Sequence, residues 1–210
     1  MGGFFGAVGA MRNIIPDVFF GTDYHSHLGT RRAGMAAWDR EMGLQREIHN
    51  IENSPFRTRF EQALNEMVGS AGIGVISDTD PQPLLIRSTL GTYAICTIGV
   101  IQNAEALISQ YLSFSGGHFE AMRGGHVNAN ELFAAMIDQK SSFTDGIRFA
   151  QQVIEGTASV LILTDQGHLI AARDRLGRLP VLIGRNENGY CVSFENFAYE
   201  KLGYEAEKEL

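Results

Sequence analysis

Apolar residues fall along this chain in two recurring patterns. Short apolar or alternating runs predict strands at Gly3 to Ala10, Gly34 to Trp38, Leu44 to Asn50, Gly72 to Ser77, Leu84 to Ser88 and Thr92 to Gly99. A second block follows at Ala158 to Leu163, His168 to Arg173, Val181 to Gly184 and Gly189 to Phe194. Elsewhere the period lengthens to that of helices. One helix is predicted over Asp17 to His27, and another begins at Asn53-Ser54-Pro55, where a capping residue precedes proline at the first helical position. A third starts at Asn103, with Leu107, Ile108, Tyr111 and Leu112 as its apolar stripe. Asn128 followed by Glu131 is a capping-box pattern for a helix through Ile137, and a last helix runs from about Thr144 to a stop at Gly156. Strands in two blocks around consecutive helices predict an α+β layered architecture, not alternating βαβ units. No internal repeat or long linker divides residues 1–210, which read as a single domain.

Composition narrows the function classes. With 44% hydrophobic residues the chain can bury one sizeable core. Its 17 Lys and Arg against 24 Asp and Glu leave a net charge of -7, which argues against a nucleic-acid partner. The apolar opening run is too short to span a bilayer, and no membrane partner is expected. Neither a dinucleotide-binding nor a P-loop glycine pattern is present, and no cofactor is expected. Cys96 and Cys191 sit in apolar alternating stretches without metal-ligand spacing, as buried thiols of a reducing, cytoplasmic protein would.

Three polar clusters offer chemistry. Asp23 with His25-Ser26-His27 contains the residue types of a hydrolase triad, but neighbours on a helix point in different directions, so an ordinary helix end is the favoured reading. His118, Glu120 and His126 lie in a glycine-rich loop whose spacing matches no standard metal site; it reads as a flexible loop and no metal is expected. Arg173, Asp174, Arg175 and Arg178 read as a hairpin salt-bridge network in preference to an anion receiver.

Several segments, in order and over nearly the whole length, resemble class II glutamine amidotransferases, notably the N-terminal half of amidophosphoribosyltransferases. Met1-Gly2-Gly3-Phe4-Phe5-Gly6 is similar to that family's opening Met-Cys-Gly-hydrophobic-Phe-Gly, with Gly2 at the nucleophilic cysteine. His27, Gly29, Ala33 and Gly34 match a His-Arg-Gly turn in which Leu28 replaces the arginine. Gly72-Ile73-Gly74-Val75-Ile76-Ser77, followed by Pro81-Gln82-Pro83, resembles Gly-Ile-Gly-His-Thr/Val-Arg with its following Ala-Gln-Pro. Thr97-Ile98-Gly99 followed by Asn103-Ala104-Glu105 is similar to the oxyanion-hole segment His-Asn-Gly and its Asn-Ala-Glu. Asn128-Ala129-Asn130-Glu131 resembles Ser-Asp-Ser/Thr-Glu, and Ala172-Arg173-Asp174 with Val192-Ser193-Phe194-Glu195 resembles the closing hairpins.

The resemblance implies an N-terminal-nucleophile hydrolase-like fold, a four-layer αββα sandwich with two mostly antiparallel sheets. It also implies a glutamine amidotransferase type 2-like domain forming the N-terminal part of a longer chain, with a phosphoribosyltransferase-like domain beyond Leu210. Assembly into a homo-oligomer stays open. Mapped residue by residue, Gly2 removes the nucleophile, Ser77 the carboxylate clamp, Ile98 an oxyanion donor and Ala129 the partner of the substrate amine, while Gly99 keeps its backbone amide. Loss of one oxyanion donor alone costs on the order of 10²–10³ in rate, and without a nucleophile the covalent route is gone. Two readings follow. One is a pseudo-glutaminase domain with a regulatory, assembly or ligand-binding role, its pocket altered and the loop carrying His118 and His126 overhanging it as a ligand cap. The other is an amidotransferase or hydrolase with a replaced mechanism, linked to glutamine-dependent phosphoribosylamine formation in purine biosynthesis.

Overall fold

A computed structural model describes residues 2–10 and 13–210, so Met1 of the opening motif lies outside the described residues. In chain order the strands are β1 (Gly2–Gly9), β2 (Arg32–Asp39), β3 (Gly43–Asn50), β4 (Ala71–Ser77), β5 (Leu84–Ser88), β6 (Gly91–Ile101), β7 (Met122–Arg123), β8 (His126–Val127), β9 (Gly156–Thr164), β10 (Leu169–Ala172), β11 (Leu182–Asn186), β12 (Gly189–Ser193) and β13 (Glu205–Glu209). The helices are α1 (Ile15–Asp23), α2 (Phe56–Arg59), α3 (Glu61–Glu66), α4 (Ala104–Ser115), α5 (Ala129–Ile137), α6 (Phe143–Val153) and α7 (Asn196–Glu200). A seven-stranded sheet in the order β13-β11-β12-β1-β4-β2-β3 faces a four-stranded sheet in the order β10-β9-β6-β5. Every pairing within the two sheets is antiparallel.

Alternation along the strands creates three cores and therefore four layers. In β1, Phe5 and Ala7 point to a cluster with Ile15, Val18 and Phe19 of α1, while Phe4 points to the opposite sheet and meets Leu161, Leu163 and Phe194. Likewise β6 sends Tyr93 and Ile95 toward α5 and α6, and Ala94, Cys96 and Ile98 toward the larger sheet. Because successive side chains of a strand point to opposite faces, one strand serves two cores at once. The result is the expected αββα sandwich.

Close approach explains the glycine pairs. A Cβ at Gly72 would lie 3.0 Å from Val18 Cγ2, and one at Gly74 would run into Thr22 Oγ1, so these two glycines let α1 lie directly on β4. At Gly34 an added Cβ would run into the Gln82 carbonyl oxygen, which is how the Pro81–Pro83 segment crosses the sheet there. At the other end of the sandwich, Trp38 Nε1 donates to the Asp165 carbonyl at 2.9 Å, and Asp165 Oδ2 accepts from the Thr92 amide at 3.0 Å. That clasp joins the two sheets.

Some boundaries differ from expectation. The first helix begins earlier, at Ile15, whose amide donates to Asn13 Oδ1 at 3.1 Å, and it ends at Asp23. The His25 amide donates instead to the Thr22 carbonyl, tightening the chain into a 3₁₀ turn at Ser26–Leu28. Pro55 is itself the extended N-cap of α2, not its first helical residue. Gly156 does not stop α6, which ends at Val153; it opens β9 with φ +115°. The charged segment Glu205–Glu209, for which no element is predicted, forms the edge strand β13 against β11.

Candidate active site

Five segments end together at one end of the sandwich. β1 contributes Gly2, hydrogen-bonded in register with Ser77 at the end of β4. From the smaller sheet come Thr97, Ile98, Gly99 and Val100 of β6, with Val100 opposite Thr157 of β9. Leu179 closes the space, and these residues with Thr79 line a pocket of about 220 Å3. The structure thus brings together four of the positions singled out above: Gly2, Ser77, Ile98 and Gly99.

Its chemistry is that of hydroxyls and hydrocarbon. Ser77 Oγ accepts from the Thr79 amide at 3.1 Å and shares a hydrogen bond of 3.1 Å with Thr79 Oγ1. Thr157 Oγ1 accepts from the Val100 amide at 3.2 Å. Behind the wall, buried Gln82 accepts from the Thr97 amide through Oε1 at 2.9 Å, which fixes the strand carrying Ile98 and Gly99. Gly99 sits at φ +152°, and a Cβ there would strike the Thr157 carbonyl oxygen, so glycine is required for the two strands to pair at this point. Among the described residues, none that lines the pocket carries a formal charge.

At Gly2 the backbone leaves no space for a side chain. An added Cβ would run into the Ile76 carbonyl oxygen and lie 2.9 Å from Ile98 Cδ1 and 3.3 Å from Ser77 Cα. The strand pairing has closed around hydrogen at this position.

Ala129, expected at the altered pocket, is not among the residues that line this space. It opens α5, where Asn128 caps the helix by accepting from the Asn130 amide at 2.9 Å, and the Ala129 amide donates to Asp80 Oδ2 at 3.0 Å. Only half of the capping box forms. Glu131 turns outward to accept from the Glu120 and Ala121 amides at 2.9 and 2.8 Å, and so anchors the glycine-rich loop. Neither His118 nor His126 lines the pocket. His118 pairs with Glu120 at 3.2 Å in solvent, and no group of three or more metal-ligating side chains occurs among the described residues. The loop reaches the pocket rim through a residue that sequence reading did not single out: exposed Arg123 donates from Nη1 to the Thr79 carbonyl at 3.1 Å.

The remaining polar clusters are structural. Asp23 pairs with Arg57 at 2.7 Å. His25 is wholly buried; its Nδ1 donates to the Gly21 carbonyl at 2.7 Å and its Nε2 lies 3.3 Å from Ser193 Oγ. Burial holds the imidazole below its ordinary pKa despite the Gly21 hydrogen bond and the nearby Glu195 charge. The three groups of the sequence triad are not brought together. Asp174 does not join a network of arginines; it accepts from the Leu176 and Arg178 amides at 2.9 and 3.1 Å, shaping the turn, while Arg173 lies 3.8 Å from Glu209. Both cysteines are free and buried, and burial pushes the Cys96 thiol up and that of Cys191 up to about 12, so neither is a ready nucleophile. No helix among the described residues is long and apolar enough to cross a membrane.

Comparison with known proteins bears on this geometry. The family profile described as a glutamine amidotransferase domain matches residues 70–198. An amidophosphoribosyltransferase of Methanocaldococcus jannaschii is 27% identical over 221 residues, covering 100% of this chain and 45% of that protein. Another from Archaeoglobus fulgidus is 25% identical over 185 residues, 85% of this chain and 39% of that protein. Among solved structures, glutamine phosphoribosylpyrophosphate amidotransferase from Bacillus subtilis, complexed with ADP and GMP, superposes with a TM-score of 0.84 at 26% identity, covering 99% of this chain and 45% of the other. The chain therefore spans less than half the length of these relatives. Its fold is that of their N-terminal-nucleophile hydrolase domain.

Proposed function

The chain belongs to the glutamine amidotransferase domain family, and from that premise we propose that it is a catalytically degenerate member, a pseudo-glutaminase domain of an amidophosphoribosyltransferase-like protein. Its role is regulation, assembly or the binding of a ligand other than glutamine. One observation carries this reading: at Gly2 there is neither a nucleophilic atom nor room for one beside the Ile76 carbonyl and Ile98. Among the described residues, the side chains that line the pocket supply no substitute. Ser77 shares its hydroxyl with Thr79, and buried His25 is engaged by the Gly21 carbonyl. The lengths of the relatives support a phosphoribosyltransferase-like domain as the covalent partner.

Glutamate release from L-glutamine tests the reading. No turnover is expected from the wild-type chain. Gly2→Cys is expected to remain inactive and to lose about 1–3 kcal/mol of stability, because the new Cβ must displace main chain. Sustained glutamate release from the wild type would overturn the proposal and favour a replaced mechanism. Activity gained by Gly2→Cys would show that the pocket still accepts glutamine.

A further inference from the structure

We propose that the outer edge of β3 is a self-association surface, on which β3 of a second copy of this chain pairs antiparallel about a two-fold axis at Ile48. The inference does not depend on whether glutamine chemistry survives in the pocket. The seven-stranded sheet has β13 at one edge and β3 at the other. β13 is blunted against further pairing: it is short, every residue is exposed, its register to β11 is broken, and Glu205, Glu207 and Glu209 outweigh Lys208. β3 has none of these devices. It runs 8 residues, Gly43–Asn50, without proline and with an unbroken register to β2. The Ile51 amide donates to the Arg31 carbonyl at 2.9 Å, so by antiparallel alternation Gln45, Glu47 and His49 turn their main-chain groups to β2. Leu44, Arg46, Ile48 and Asn50 turn theirs outward. Among the described residues, no strand and no side chain is hydrogen-bonded to those outward groups.

Charge selects both the partner and the register. Two copies of a chain with a net charge of -7 repel each other over most of their surface, whereas β3 carries one arginine and one glutamate and is balanced. Residues directly opposite in an antiparallel pair share one face, where opposite charges stabilise the pair and like charges oppose it. With the axis at Ile48, Glu47 of each copy faces His49 of the other. The contact already made within one chain, His49 Nε2 to Glu47 Oε2 at 3.0 Å, then extends into a ring of four side chains. Both are within reach, with 31% of the Glu47 side chain and 38% of the His49 side chain exposed. On the other face Ile48 meets its own copy and Arg46 meets Asn50, while the outward main chain of Arg46, Ile48 and Asn50 supplies about six hydrogen bonds across the seam. Moving the axis to Glu47 or to Arg46 brings two glutamates or two arginines face to face.

The test is sedimentation velocity of the full chain over a concentration series, joined to disulfide capture. A single strand seam lies at the small end of stable interfaces, so reversible dimers with a Kd on the order of 10–100 μM are expected. Arg46→Pro should abolish them: the exposed Arg46 has its amide outward, so the substitution removes no ladder bond from the folded monomer yet blocks the seam. His49→Glu, which sets glutamates opposite each other in both halves of the seam, should weaken the dimer about tenfold. Under copper phenanthroline, Ile48→Cys should cross-link to its own copy, because opposite hydrogen-bonded residues stand about 5.5 Å apart between Cα atoms. Arg46→Cys, which faces Asn50 of the other copy, should not, and the native thiols Cys96 and Cys191 are buried and do not compete. Unchanged Thr92 and Asp165 amide signals report that each variant is folded. A chain that stays monomeric up to ~1 mM, a dimer insensitive to Arg46→Pro, or an Arg46→Cys cross-link as fast as that of Ile48→Cys overturns the inference.

Discussion

Strands β1, β4 and β6 build both the inter-sheet core and the pocket, and the two regions differ in what holds them. In the core, position is set by contact. Phe4 meets the edge of Phe194 at 4.4 Å between ring centroids, and Gly72 and Gly74 admit α1 against the sheet. In the pocket, a few strand-widths along, the residues touch less and bond chiefly to main chain or to one another, as Ser77 does with Thr79 and Thr157 with Val100. Close packing punishes added volume at Gly74, and the strand-end glycines Gly2 and Gly99 are as tightly held by neighbouring main chain. Side chains with chemical duties can therefore be exchanged at the strand ends while the glycines that shape the scaffold stay.

The contrast is sharpest at Gly34. A valine there drives Cβ into the Gln82 carbonyl and within 2.7 Å of Pro83 Cδ, and denaturant unfolding should show a loss of about 3 kcal/mol or more. Gly43→Ala provides the control: φ is +69° but nothing lies within 4 Å, so only the left-handed backbone is penalised, by about 1–2 kcal/mol. Equal losses would mean that close approach does not distinguish these sites.

A smaller effect is expected from His25, which lies against α1 and faces the Gly21 carbonyl, Ser193, Glu195 and His27. Burial lowers its folded-state pKa beneath the ordinary 6.5. As pH falls below about 6.5, the unfolded chain takes up a proton that the folded chain refuses, so stability declines on acidification. Melting temperature measured across that window should fall, and the slope should flatten in His25→Gln; an unchanged slope would show that the imidazole is already charged in the fold. The smallest change belongs to the pocket mouth. Val100→Thr should alter stability by no more than about 0.5 kcal/mol, and a larger loss would mean that Val100 is covered in the folded protein.

Much of this was readable from the chain because strand alternation and backbone-shaping glycines leave local traces. The Gly72-Ile73-Gly74 segment, the run through Gly99 and the Asn128 cap fell where the pattern placed them, and Gly2, Ser77, Ile98 and Gly99 meet at one pocket. That Ala129 stands apart from those four was not legible, because a motif fixes order along the chain and not which way a helix start faces; the Asp80 hydrogen bond to its amide is a tertiary fact. Arg123 went unseen for a related reason, since a lone arginine in a glycine-rich loop has no pattern to mark its contact with Thr79. Edge strand β13 hid behind its charges: Glu205, Glu207, Lys208 and Glu209 break the apolar pattern that marks a strand, yet charged side chains suit a sheet edge, where they discourage further pairing.

The clasp of Trp38, Asp165 and Thr92 lies at the opposite end of the sheets from Gly2 and Gly99. A pair of plates pinned along one margin moves most at the other, as the jaws of a clothes peg do about their spring. Slow exchange of the Thr92 amide beside faster exchange at Val100 would be its signature. On that mechanical footing the expected yield of the sandwich lies at the Gly2 and Gly99 end, a full strand length from the clasp.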